Sequence, residues 1–179
     1  MLKKKTRLNA DDWLQTGFDA LVELGPQALK AEPLARRIGA TKGSFYWHFR
    51  DLPDFHARLL AKWEERTLLA LAATGQEEAD AVKRLDRLGS LNSDDPAEQA
   101  IRAWGAENAN VAQTIARVDG HRRTMLSVTL DELGLTNPDF ARIVQGAHMG
   151  LAELSAADGV DNSGAMSTLL AALLSLRDA

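Results

Sequence analysis

Apolar residues recur three and four apart along almost the whole chain, and strict apolar–polar alternation is nearly absent, a pattern that predicts amphipathic helices and no sheet. Asn9 with Asp11 and Asp12 behind it marks the start of a first helix, whose Leu14, Phe18, Leu21 and Val22 form a stripe ended by Gly25-Pro26. A short second helix is expected from about Lys30. Pro33 falls in its first turn, where a missing N–H costs little, and Gly39 stands at its end. Thr41 then reads as the N-cap of an equally short third helix through Phe49. Asp51 caps a long fourth helix, with Pro53 near its start and Phe55, Leu59 and Trp63 at spacing four, predicted to run to about Ala73 and stop before Gly75.

Beyond that point Ala/Leu-rich amphipathic segments take over. Gln76 to Leu88 predicts a fifth helix, Gly89 to Pro96 a loop, and Ala97 to Ala106 a sixth helix. The seventh, Asn108 to Leu133, has Ile115, Val118, Arg122, Met125, Leu126, Thr129 and Leu133 at helical spacing and stops at Gly134. Asn137-Pro138 opens an eighth to about Ala156, and Ala165 to Leu176 supplies a ninth. The fold class is therefore all-α, with about nine helices.

The third helix carries the most informative chemistry. At 100° per residue Phe45 and Phe49 share one face, while Gly43 and Trp47 point the opposite way, flanked by Lys42 and Tyr46 on one side and Ser44 and His48 on the other. One face anchors and the rest is offered outward. Two short helices joined by a tight turn at Gly39, the second carrying polar and aromatic groups outward, make a helix-turn-helix pattern. A helix entering a major groove needs a small residue where the backbone comes nearest, polar groups for phosphates and longer side chains for base edges; Gly43 suits the first role.

Ala35-Arg36-Arg37-Ile38-Gly39-Ala40-Thr41-Lys42-Gly43-Ser44-Phe45-Tyr46-Trp47-His48-Phe49 strongly resembles the DNA-binding signature of the TetR (tetracycline-repressor-like) family of transcriptional regulators. The likeness is specific over about residues 9 to 63. It implies that residues 1–50 form a DNA-binding domain and 51–179 a helical regulatory and dimerisation domain. It further implies phosphate contacts from Thr41, Ser44, Tyr46 and His48, with Lys42 and Trp47 placed for base edges or the sugar-phosphate wall. Two positions depart from the family's pattern. Lys30 stands where a capping threonine is usual, so a phosphate contact survives only as a point charge, and Pro53 replaces a small or charged residue, leaving Arg50 to supply that contact. Lys3, Lys4, Lys5 and Arg7 form a basic arm, either a segment that follows the backbone or minor groove or a solvated tail.

The resemblance also implies a homodimer, a near-palindromic double-stranded operator and a small-molecule effector of unknown identity, the protein acting as a repressor released by that effector. Trp104, Asn108, Val111, Ile115, His121, Arg122, Met125, Gln145 and His148 lie on helices that wall the family's pocket, although core packing explains each equally well. Arg122 and the two histidines hint at a polar or anionic ligand. Met166, Leu169, Leu170, Leu173, Leu174 and Leu176 cover more than one stripe of the ninth helix, and Gly146, Ala147 and Gly150 of the eighth allow close helix approach. In the family these two helices build a four-helix bundle with the partner subunit.

Net charge is −4, but its distribution is uneven: residues 1–50 hold nine Lys/Arg against five Asp/Glu, and the remaining residues hold twelve against twenty. A basic first third is what an end that meets phosphate requires. The 179 residues include no cysteine, which excludes disulfides, thiolate metal sites and cysteine nucleophiles. No apolar run reaches about 18 residues and no secretory leader pattern follows the basic start, so a cytoplasmic location and no membrane partner are expected. Lys42-Gly43-Ser44 has the wrong order for a phosphate-binding loop, His48, His56, His121 and His148 show no metal-ligand spacing, and no cofactor motif is present. The rival readings are a helical protein-interaction module without DNA binding and a small helical enzyme.

Overall fold

The computed structural model describes residues 8–91 and 95–175. Among these it contains nine α-helices and no strand: α1 (Ala10–Leu24), α2 (Ala31–Ile38), α3 (Lys42–His48), α4 (Leu52–Glu77), α5 (Ala81–Ser90), α6 (Pro96–Gly105), α7 (Ala109–Glu132), α8 (Asp139–Asp158) and α9 (Ser163–Ser175), with a single 3-10 turn at Pro26–Ala28. The basic arm at Lys3–Lys5 and Arg7, and Leu176 of the ninth helix, lie outside the described residues.

Two compact units divide the chain. One holds the residues up to Trp63 together with Pro96–Ala112, the other Glu64–Asp95 with the residues from Gln113 onward. The first unit is built on an aromatic cluster. Trp13 meets Phe45 edge-on at 5.5 Å, Phe45 lies 5.0 Å from Phe49 and 5.3 Å from Phe55, and all four rings are fully buried. Trp13 extends the apolar stripe of α1 predicted through Leu14, Phe18 and Leu21, whereas Val22 is exposed rather than part of it. Gly17 lets α4 come close, because a Cβ there would sit 2.7 Å from the Phe55 ring. α6 packs on α1, and the buried Trp63 indole donates to the Glu98 carboxylate at 3.0 Å, which Arg102 also holds at 2.7 Å.

The second unit buries Leu71, Leu85, Leu88, Leu126, Leu130 and Val144 from α4, α5, α7 and α8 against α9. Several expected boundaries shift here. α4 runs through Gly75 to Glu77, since this glycine is a contact and not a terminator: a Cβ on it would lie 2.7 Å from Met125 Cε. α5 consequently starts at Ala81, where Asp80 accepts from the N–H groups of Val82 and Lys83, and it continues through Gly89 to Ser90 instead of yielding to a loop. Gly89 is buried against the His148 imidazole. α8 begins after Pro138, with Asn137 Oδ1 accepting from Asp139 N at 3.0 Å. Met166, Leu170 and Leu173 are turned into the chain's own core, so the apolar character of α9 is spent mostly within one chain and these three side chains are not offered to a partner.

Candidate nucleic-acid interface

Local chemistry fixes the geometry of α2 and α3. Gly39 closes α2 at φ +70, the left-handed region that an L side chain enters at a cost, and its N–H returns to the Ala35 and Arg36 carbonyls. Lys30 occupies the N-cap of α2 in extended conformation but makes no side-chain capping bond, as its chemistry requires. The Thr41 hydroxyl oxygen accepts from Ser44 N at 3.2 Å and so caps α3. Asp51 Oδ1 accepts from Asp54 N at 2.8 Å, and Asp54 accepts in turn from Arg50 N at 3.0 Å and from its guanidinium at 3.3 Å. The bond from the Arg50 backbone first, and then that from its guanidinium, hold the Asp54 carboxyl below its ordinary pKa.

On this scaffold α3 divides as its sequence does. Phe45 and Phe49 are buried, while Thr41, Lys42, Gly43, Tyr46 and Trp47 are exposed and Ser44 and His48 half-buried. Trp47 is 84% exposed, an unusual state for the largest apolar side chain. Nothing crowds Gly43: a Cβ there would find only Thr41 Oγ1, at 3.8 Å. Lys30, Arg36, Lys42 and Tyr46 line one cleft along α2 and α3, together with Ala31, Glu32, Pro33 and the first residue of α4, Leu52. Arg50 extends 86% exposed beside Asp54. The arrangement presents cations, hydroxyls and an indole around a backbone with no side chain in front of it. Sequence reasoning missed Arg36 and also Arg58, whose Nη1 donates to the His48 carbonyl at 2.8 Å and whose guanidinium lies 4.8 Å from the Phe49 ring centroid.

The residues expected to wall a ligand pocket fall into both units. In the first, Trp104 is buried edge-on to the His56 ring at 5.2 Å, Val111 is buried, and Asn108 Oδ1 accepts from the N–H groups of Asn110 and Val111 at the start of α7. In the second, Ile115 and Met125 are half-buried and His121 is exposed. Arg122, Gln145 and His148 are all buried polar groups, with the Arg122 charge near His148. Arg122 donates to the Leu91 carbonyl at 3.2 Å and pairs with Asp119 at 3.3 Å, and Gln145 Oε1 accepts from Arg123 at 3.2 Å. Gln145 Nε2 and His148 Nε2 have no hydrogen-bond partner. Burial, more than the nearby Arg122, lowers the His148 pKa, against an opposing pull from Asp86.

On α8, Gly146 and Gly150 are exposed with open space where a Cβ would stand. Ala147, Gly150, Leu151, Leu154 and Leu169 line an apolar groove along α8 and α9, with Glu153 at its edge. Among the described residues no cluster of His, Cys, Asp and Glu has metal-binding geometry, and no helix is long and apolar enough to cross a membrane.

Comparison with known proteins agrees with this architecture. No family model matches the chain. Over 81 residues, 45% of the chain, it is 27% identical to the uncharacterised HTH-type transcriptional regulator YwcC of Bacillus subtilis (strain 168), and the match spans 36% of that protein's length. Among solved structures, a Rhodococcus sp. protein assigned to the TetR family of transcriptional regulators superposes with a TM-score of 0.73 at 19% identity, covering 95% of this chain and 98% of the other. Salmonella enterica GusR gives 0.71 at 16% identity over 99% of both chains. FadR of Bacillus subtilis, a transcriptional regulator solved in complex with stearoyl-CoA, gives 0.65 at 15% identity over 93% and 96%. The chain has the all-α fold of TetR-family transcriptional regulators.

Proposed function

We propose that this protein is a TetR-family transcriptional regulator that reads double-stranded DNA with α3 and acts as a homodimer, with residues 1–50 as the DNA-reading part and 51–179 as the regulatory and dimerising part. The observation that carries the reading is the division of α3, whose anchoring phenylalanines are buried while Lys42, Gly43, Tyr46 and Trp47 face solvent together. Core formation explains none of those four. In the proposed complex Lys30, Thr41, Ser44, Tyr46, His48 and Arg50 hold phosphates, and Lys42 and Trp47 address base edges. The open faces of Gly146 and Gly150 and the adjoining apolar groove support α8 and α9 as the surface for a second copy, because small residues let helix backbones approach.

The regulatory part of this reading is repression relieved by a small molecule. It is supported by the fold shared with FadR, whose structure contains stearoyl-CoA, and by the buried polar groups of Arg122, Gln145 and His148. An effector releases DNA only through unequal affinity for the DNA-bound and free states, and operator then weakens effector binding by the same factor. Selection of bound fragments from random-sequence DNA, followed by footprinting, tests the central claim. A near-palindrome with half-sites about 34 to 36 Å apart, or a multiple of that spacing, is expected. Recovery of no enriched sequence would refute it.

A further inference from the structure

A seven-residue helix is too short to hold its own shape, and its last carbonyls have no partners within the helix. At the start of α3, Thr41 supplies the missing bond. At the end, the His48 carbonyl accepts from Arg58 Nη1 at 2.8 Å, and the same guanidinium lies over Phe49, 4.8 Å from the ring centroid. The contact places positive charge at the negative end of the α3 dipole, and the planar group is fixed by a hydrogen bond at its edge and an aromatic ring under its face. Arg58 belongs to α4, so this bond ties the end of α3 to a different helix. Asp11 and Asp54 stand close enough that the Arg58 charge helps keep both carboxyls ionised, although Lys62 and Arg50 contribute more.

We propose that Arg58 is a positioning residue for DNA recognition: it fixes the exit end of α3, and with it the direction in which Lys42 and Trp47 point, without itself holding a phosphate. The inference rests on the reading of α3 as the DNA-contacting helix, and its two arms separate the fates of the two ideas. The variants are Arg58→Met, which keeps an unbranched stem but no donor or charge, and Arg58→Lys, which keeps both.

In the first arm, hydrogen exchange is followed on the free full-length protein. Amides of residues 45–49 should exchange about tenfold faster in Arg58→Met while those of α1 stay protected, and Arg58→Lys should restore most of the protection. In the second, affinities are measured for a DNA fragment enriched by the wild-type protein and for its scrambled counterpart. Arg58→Met should lower the ratio of the two by about tenfold, with Arg58→Lys recovering it, because misdirected base contacts lose specificity first. Unchanged exchange in α3 overturns the proposal even if no DNA is ever enriched, an outcome that by itself would refute only the DNA reading. Equal loss of affinity for both DNAs would make Arg58 a phosphate contact and also overturn it. So would loss of protection throughout α1 in Arg58→Met, which would assign the residue to general stability.

Discussion

Gly43→Ala separates the requirements of the fold from those of DNA. The glycine is the second residue of α3, does not have a positive φ, and offers an added Cβ only Thr41 Oγ1 at 3.8 Å, an ordinary contact. The free protein therefore has no steric reason for glycine, and alanine should stabilise α3 by up to about 1 kcal/mol through helix propensity. In a chain of this size that corresponds to a rise in Tm of roughly 2 to 4 °C. Against DNA the sign reverses. If this face of the backbone meets a groove wall, the methyl group holds the helix away and weakens the contacts around it; a loss of about 1 to 3 kcal/mol, roughly 5- to 150-fold in affinity, is expected. Scanning calorimetry and fluorescence anisotropy with wild-type-enriched DNA give the two numbers. A variant that is more stable and binds DNA as well as wild type would show that the backbone at Gly43 does not approach the duplex, and the assignment of this helix face would fail.

Gly89→Ala should behave oppositely in the free protein, since its Cβ overlaps the buried His148 imidazole; overpacking of about 1 to 3 kcal/mol outweighs the helix gain, whereas Gly120→Ala, with Arg123 Nη2 at 3.9 Å as its nearest neighbour, should be neutral or stabilising. Thermal melts should therefore fall for Gly89→Ala and not for Gly120→Ala, and a rise in both would mean that α5 and α8 are not packed this way. His148 titrates at about 6.5 when unfolded and lower when folded, so its neutral form favours the native state above that value and the favourable contribution is lost as pH falls from 6.5 through the folded pKa. Stability should accordingly drop below pH 6.5, with a shallower slope in His148→Met, and an identical slope in the variant would exclude His148 as its source. Gly150→Leu adds a side chain where one chain has open space, so it should leave monomer folding intact while weakening self-association, whereas Leu170→Glu should unfold the second unit because Leu170 is in its core. Sedimentation velocity checks the pair; an undiminished dimer in Gly150→Leu would remove this face of α8 from the interface.

What could be read from the sequence was what is decided locally. The limits of α3 follow from a glycine that tolerates positive φ and a threonine that caps, and its faces follow from a period of 3.6 acting on Phe45, Trp47 and Phe49. Glycines of another kind misled. Gly75 and Gly89 resemble helix terminators, yet both sit inside helices where Met125 and His148 come close, and nothing in the neighbouring sequence distinguishes a breaker from a docking point. Reading Gly75 as a stop also hid the N-cap at Asp80, although the residue type and its spacing to Leu85 and Leu88 were visible. The packing of α6 on α1, the Trp63–Glu98–Arg102 contact and the Arg58 bond to His48 join residues distant in sequence, and no periodicity carries that information. For α9 the composition itself was ambiguous, because a helix with leucine on several faces does not reveal which face its own chain covers.

The charge distribution constrains how such a protein holds DNA. A chain with net charge −4 is repelled by a polyanion at long range, and at physiological salt charges further apart than about 8 Å are largely screened, so attraction must come from cations placed within that distance of phosphate. Lys30, Arg36, Lys42 and Arg50 are all exposed around α2 and α3, while Glu23 pairs with Arg37 and Asp11 with Lys62 on the adjoining helices, which neutralises acidic groups in the same unit. Two of the four share a carboxylate and stay open: Arg36 meets Glu32 at 3.4 Å with its side chain 81% exposed, and Arg50 meets Asp54 at 3.3 Å with its side chain 86% exposed. In the proposed complex these four, taken among the described residues, give modest affinity for arbitrary sequence. On the proposed reading specific affinity would also include a contribution that salt does not screen, with Trp47 its candidate source: covering an indole that is 84% exposed in one chain is worth a few kcal/mol at roughly 25 cal/mol per Å² of apolar surface. If α3 reads DNA as proposed, a weakly cationic surface around a large exposed aromatic would favour the correct sequence over bulk DNA more than additional lysines would, since each lysine strengthens both.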